Sequence, residues 1–136
     1  YSDERSKAFL HGHSFTGNAL ACAVACANLD LLESEQVQEE LIRLFDWQSE
    51  FRTEISQHSK VIEARQQGAI LAIELSTTEN SGYYSDLGTK AYDYFLERGI
   101  IMRPLGNVLI VMPPYCIKQE DLGYVYKQIR SFIEEL

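Results

Sequence analysis

The 136-residue chain is long enough to form one compact domain, burying roughly two-thirds of its unfolded surface. Hydrophobic residues at 46% and charged residues at 24% exclude wholesale disorder. A net charge of −8 leaves no basic surplus to displace counterions, which excludes a nucleic-acid backbone as partner.

In chain order, Phe9-Leu10-His11 reads as a short strand end, followed by a turn from Gly12 to Gly17. Asn18 is a good N-cap, because its side-chain oxygen can accept an N–H of the first turn. From there to about Leu32 the residues are Ala, Leu, Val and Cys on every face, the pattern of a buried helix. Ser34 caps a second helix, in which Val37, Leu41, Leu44, Phe45, Phe51 and Ile55 recur at three- and four-residue steps until about His58.

The period then changes to two. Val61 to Gln66 and Ala69 to Leu75 read as strands about a Gln67-Gly68 turn, with Leu71, Ile73 and Leu75 on one face. A polar loop from Ser76 to Ser85 leads to a helix from about Asp86 to Arg98, which Gly99 stops. Ile100 to Arg103 and Val108 to Met112 suggest a second hairpin. The latter run is apolar on both faces, as an interior strand would be. After Pro113-Pro114, a last helix places Leu122, Val125, Tyr126, Ile129, Phe132, Ile133 and Leu136 on one stripe. Helices alternating with short hairpins predict an α/β sandwich.

Three cysteines are too few for a disulfide framework, so Cys22, Cys26 and Cys116 read as small buried side chains, which fits a reducing cytoplasm. The longest apolar run, residues 19–27, is too short for a membrane span, so no membrane partner is expected. The chain opens on Tyr1 rather than Met and reads as a piece of something longer.

Three groups of residues could carry chemistry. His11 and His13 flank Gly12, but nothing acidic or thiolate-bearing lies within a helical turn to complete a metal site, so we expect no metal and read His13 as a turn residue. Ser14 and Thr16, beside Gly12 and Gly17, could cradle an anion with hydroxyls and backbone N–H groups, or could merely begin a helix. Arg103 stands at a strand end between apolar residues and a proline. It either finds a carboxylate within the protein or grips one on a ligand, and the residues alone leave both open. No nucleophile-and-base set is visible, since His58 has no orienting partner nearby in sequence. Tyr83-Tyr84 reads as surface packing, with stacking on a ligand as the alternative.

"FLHGHSFTGNALACAVACANLDLL", the late "GIIMRPLGNVLIVMPPYCI" and the closing amphipathic helix, in that order, resemble the C-terminal part of class III, fold-type I aminotransferases. The first block carries the class; the second favours its biotin-synthesis branch over the ornithine and 4-aminobutyrate branches. The resemblance spans nearly the whole chain. It implies a small C-terminal α/β (α+β) domain over residues 18–136, with short mixed or antiparallel strands, preceded by a lead-in over 1–17 that belongs to a large domain. It implies pyridoxal 5′-phosphate (PLP) as cofactor and a homodimer with active sites at the subunit interface. The implied small-molecule substrates are S-adenosylmethionine as amino donor and 8-amino-7-oxononanoate as acceptor. Ser14, helped by the N–H of Phe15, matches the hydroxyl residue that reaches the phosphate of PLP in the partner subunit. Arg103 matches the arginine that binds the substrate carboxylate.

Two positions depart from the family pattern: Ala19 stands where Pro usually opens the helix, and His13 where Pro is common. Another class III branch of the ω-amino-acid type, or a non-catalytic module with the same fold, remains as an alternative. None of Lys7, Lys60, Lys90, Lys118 or Lys127 lies in the family's cofactor-anchoring motif, so no catalytic residue is expected in this chain. Mixed with PLP, reduced with borohydride and mapped by mass spectrometry, it should show no stoichiometric label on any lysine. One fully labelled lysine would overturn this assignment.

Overall fold

A computed structural model describes residues 4–7, 12–77 and 85–136. Phe9-Leu10-His11 and Tyr83-Tyr84 lie outside the described residues. The chain divides into two compact units, residues 1–38 and 39–136.

The first unit holds a 3₁₀ turn, Arg5–Lys7, and helix α1, Ala19–Glu33. Asn18 caps α1 as expected, its Oδ1 accepting the Ala21 N–H at 3.0 Å. The expectation of a buried helix does not hold. No residue of α1 is buried, and Leu20 and Val24 are 80% and 70% exposed. Apolar residues on every face require cover on every face, and the described residues of this chain do not supply it. The cysteines follow suit: Cys22 and Cys26 are exposed with α1, and Cys116 is exposed in the turn beyond Pro113-Pro114.

Helix α2, Glu35–Ile55, lies mostly in the second unit. Ser34 serves both neighbours, donating to the Leu31 carbonyl and accepting the Val37 N–H. Strands β1, Val61–Gln67, and β2, Ile70–Leu75, form the expected hairpin; Gly68 turns it at φ +56°, a conformation that favours glycine. Helix α3, Leu87–Glu97, follows, with its Leu87 N–H held by Ser85 Oγ at 3.3 Å, and Gly99 ends it at φ +73°. Strand β3, Val108–Val111, and helix α4, Gln119–Glu135, complete the fold.

Among the described residues the sheet is antiparallel in the order β1-β2-β3, so the α/β class is as expected. Strand β3 is an edge strand rather than an interior one: Leu109 and Val111 face the core, while Met112 beyond it is 68% exposed. The second hairpin is also not formed. Among the described residues, 100–103 make no ladder, and the pairing there is a bridge between Leu105 and Val108. Pro104 removes an N–H and Gly106 turns the chain at φ +60°, so no register can be propagated.

The core lies on one face of the sheet. Leu71, Ile73 and Leu75 are fully buried there, against Leu44, Phe51 and Ile55 of α2, Ala91 and Phe95 of α3, and Leu122, Ile129 and Ile133 of α4. The opposite face carries Arg65, paired with Glu63 and Glu74. A polar side chain enters the core from α2: Gln48, fully buried, donates to the Ala69 carbonyl at 2.8 Å and accepts the Tyr126 hydroxyl at 2.9 Å. Burial pushes the Tyr126 phenol well above its ordinary value, so it remains a donor. Lys60 closes the far end of α4 by donating to the carbonyls of Ile133 and Glu134, both at 3.0 Å.

Gln48→Leu strands the Ala69 carbonyl and the Tyr126 hydroxyl, and should cost about 2–3 kcal/mol. The Gln48→Leu/Tyr126→Phe double variant should recover part of that, because the Phe51 stack at 4.0 Å survives. Urea midpoints at constant slope measure both; equal stability of the two variants would contradict the network.

Glu54 and Arg130 join α2 to α4 by a bidentate pair, with one contact at 2.6 Å, and Arg130 also lies over the Phe51 ring. The Arg130 hydrogen bond, above all, holds the Glu54 carboxyl below its ordinary range; burial opposes it, and the Arg130 charge helps less than either. The pair's contribution is therefore complete above the unfolded glutamate value, near pH 4.3. It should fade as pH falls through the lowered folded value. With both side chains about half exposed it contributes under ~1 kcal/mol. The stability difference between wild type and Glu54→Gln should be flat from pH 5 to 8 and shrink below pH 4.

Candidate functional site

The first group of candidate residues lies in the turn before α1. Thr16 N–H donates to the His13 carbonyl at 2.9 Å, and His13 N–H donates to Thr16 Oγ1 at 3.0 Å. Asn18 N–H donates to the Phe15 carbonyl at 3.4 Å, and Gly17 turns the chain at φ +76°. These bonds close a compact turn with the Ser14 side chain exposed. Asn18 satisfies the Ala21 N–H, which leaves the N–H groups of Ala19 and Leu20 at the open end of a 15-residue helix.

A hydroxyl, an open helix N-terminus and a turn amide form a donor set that suits a phosphate. One member is already engaged: the Phe15 N–H donates to His13 Nδ1 at 3.3 Å. Thr16, offered with Ser14 as an anion ligand, holds the turn together by accepting the His13 N–H, which leaves its hydroxyl proton to donate. Of the H-x-H pair, His11 lies outside the described residues. Among those described, no group of three or more His, Cys, Asp or Glu side chains could hold a metal ion.

The second group lies in residues 85–106. Met102 is buried and so fixes the segment, which turns Ile101 and Arg103 outward; Ile101 is 90% exposed. Asn107 anchors the other end, its backbone carbonyl accepting the Leu75 N–H at 2.9 Å and its Nδ2 donating to the Leu75 carbonyl at 2.8 Å. Gly88 of α3 lets the loop approach closely, since a Cβ there would meet the Gly106 carbonyl oxygen at 2.8 Å. The result is an open groove of about 530 Å³ whose lining includes Tyr92, Ile101, Arg103 and Leu105. Among the described residues no carboxylate lies within ion-pairing distance of Arg103; the ion pairs recorded belong to Lys7, Arg43, Arg65, Arg98 and Arg130. The groove thus combines an exposed guanidinium with an apolar wall, which suits a carboxylate on an alkyl chain.

The sequence singles out Ser14, Phe15 and Arg103 as candidates, but not Gln48, the Gly88–Gly106 approach or the His13–Phe15 contact. Gln48 was legible, since it stands between Leu44 and Phe51 on the apolar stripe of α2. The Gly88–Gly106 approach and the His13–Phe15 contact leave no periodic signal.

The chain belongs to the class III aminotransferases: the Aminotransferase class-III family model matches residues 3–133. Its relatives include the adenosylmethionine-8-amino-7-oxononanoate aminotransferase of Synechococcus elongatus, 37% identical over 129 residues. That match covers 94% of this chain and 30% of the relative. The enzyme of the same name from Aquifex aeolicus is 36% identical over 135 residues, covering 96% of this chain and 30% of its own length. The crystal structure of the enzyme of that name from Methanocaldococcus jannaschii superimposes with a TM-score of 0.81 at 32% identity. That superposition covers 96% of this chain and 31% of the solved one. The chain therefore spans about 30% of the length of these relatives.

Proposed function

We propose that this chain is the C-terminal part of a PLP-dependent transaminase of biotin synthesis, transferring an amino group from S-adenosylmethionine to 8-amino-7-oxononanoate. The observation that carries the reading is Arg103, an exposed guanidinium without an ion-pair partner among the described residues, in a groove with an apolar wall. The acceptor is a carboxylate on an alkyl chain, the ligand such a groove suits. The shared name of the relatives supports the branch.

In this reading residues 1–17 belong to a large domain and residues 18–136 form the small one. The large domain and a homodimer partner supply the cover that the exposed faces of α1 require. PLP, when bound, supplies the electron sink for amino transfer, and its anchoring lysine lies in the rest of the parent enzyme. This chain contributes two contacts. The Ser14 hydroxyl and the Phe15 N–H hold the phosphate of the partner subunit's cofactor. Arg103 fixes the acceptor by its carboxylate, so that its carbonyl end is oriented toward the cofactor. No helix among the described residues is long and apolar enough to cross a membrane, and a cytoplasmic site of action is part of the proposal.

In the full-length parent enzyme, Arg103→Ala should weaken acceptor binding by one to two orders of magnitude, with cofactor loading unchanged. A hydrogen bond to a charged group contributes about 1.5–3 kcal/mol, at roughly 1.4 kcal/mol per tenfold. Single-turnover kinetics of the acceptor half-reaction measure this directly. Unaltered acceptor affinity would make Arg103 a structural residue and remove the main support for the substrate assignment.

A further inference from the structure

The Phe15 N–H has a single proton to donate, and in the described turn it is spent on His13. The imidazole Nδ1 accepts it at 3.3 Å, while the ring lies tilted at 56° to the Phe15 ring, 6.5 Å between centroids. The backbone of His13 is itself fixed at both polar groups: its N–H by Thr16 Oγ1 at 3.0 Å and its carbonyl by the Thr16 N–H at 2.9 Å. The ring is therefore presented to residue 15 by a frame that does not depend on the anion. A side-chain acceptor taking the N–H two residues on is the geometry of an Asx turn, with a ring nitrogen in place of the amide oxygen.

We propose that His13 is a positioning residue of the phosphate contact: its imidazole holds the Phe15 N–H in the anion-free turn and must release it before a phosphate can accept it. The inference rests on the proposed contact of Ser14 and Phe15 with the phosphate. A hydrogen bond to a charged oxygen is stronger than one to a neutral acceptor, so the exchange runs forward. The bond given up is subtracted from the affinity. His13 thereby sets how strongly the turn prefers a phosphorylated ligand over its dephosphorylated form.

The test uses the full-length parent enzyme and two probes, pyridoxamine 5′-phosphate and pyridoxamine, whose dissociation constants are measured by calorimetry. The constant for pyridoxamine divided by that for pyridoxamine 5′-phosphate is the ratio that isolates the phosphate. His13→Ala leaves the Phe15 N–H without its intramolecular acceptor and should raise the ratio roughly two- to tenfold, the range a single neutral hydrogen bond covers. His13→Asn, whose side-chain oxygen can accept the same N–H, should keep the wild-type ratio. In the wild type, the His13 Nδ1 nitrogen resonance should move when pyridoxamine 5′-phosphate binds and stay in place with pyridoxamine. An unchanged or lower ratio in a folded His13→Ala enzyme, or an Nδ1 resonance indifferent to the phosphate, would overturn the proposal. Ser14→Ala separates this from failure of the underlying assignment. If Ser14→Ala lowers the ratio and His13→Ala does not raise it, only the role of His13 falls. If Ser14→Ala leaves the ratio unchanged, the phosphate contact falls with it.

Discussion

Residues 39–136 are organised by the inner face of β2. Leu71, Ile73 and Leu75 are fully excluded from water, and each such side chain contributes roughly 1.5–3 kcal/mol by burial. Three helices contribute to the core on that face, and two further features follow from the strand's ends. At its start, the Ala69 carbonyl takes the Gln48 amide, which in turn takes the Tyr126 hydroxyl, so one polar chain fixes α2 and α4 against the turn of the hairpin. At its end, Leu75 exchanges two hydrogen bonds with Asn107, and this holds the loop that carries Arg103. The position of the guanidinium is thus set by the register of a strand more than twenty-five residues earlier in sequence.

Why the loop can lie where it does is a question of backbone clearance. Gly88 and Gly106 meet with no room for a Cβ on Gly88, and Pro104 prevents the segment from joining the ladder. An extended run with no ladder partner would ordinarily need cover for its own apolar side chains. Met102 turns inward to provide an anchor, and Ile101 and Arg103 are exposed as the consequence of strand-like alternation. A loop held by a rigid frame is a common place for binding residues, and the frame of the loop that carries Arg103 is two asparagine bonds and one glycine contact.

What could be read from the sequence divides along the same lines. The stripes of α2 and α4, the hairpin of β1 and β2, the Asn18 cap and the Gly99 stop are local signals of period and capping, and each is where the residues put it. Two of the departures share one cause. The apolar runs from Asn18 to about Leu32 and from Val108 to Met112 read as interior to the chain, but hydrophobicity reports only that a surface needs cover, not which polypeptide supplies it. A helix that is apolar all round and exposed all round is the same signal, met in a chain that spans about 30% of its relatives. The candidate site was half legible. Arg103 stood out as a charge in an apolar run, whereas the His13–Phe15 bond depends on a rotamer that no pattern encodes.

A chain with a net charge of −8 is an unlikely host for two anions, a phosphate and a carboxylate, if net charge decides. It does not. At physiological ionic strength charges beyond about 8 Å are largely screened, so an anion responds to the donors it touches. The two contacts proposed here use different donors for a physical reason. The Ser14 turn offers a hydroxyl and backbone N–H groups whose number is limited by geometry, and a phosphate, with several acceptor oxygens, can use all of them at once. A carboxylate on a flexible chain presents two oxygens in one plane, and the planar fork of a guanidinium matches them. The proposed phosphate contact thus draws on a hydroxyl and N–H groups rather than on a named cation, and in that proposal its strength depends on which N–H groups are released to it. The guanidinium site has no such restriction, because Arg103 carries a full charge and spends none of its donors on an ion pair within the described residues.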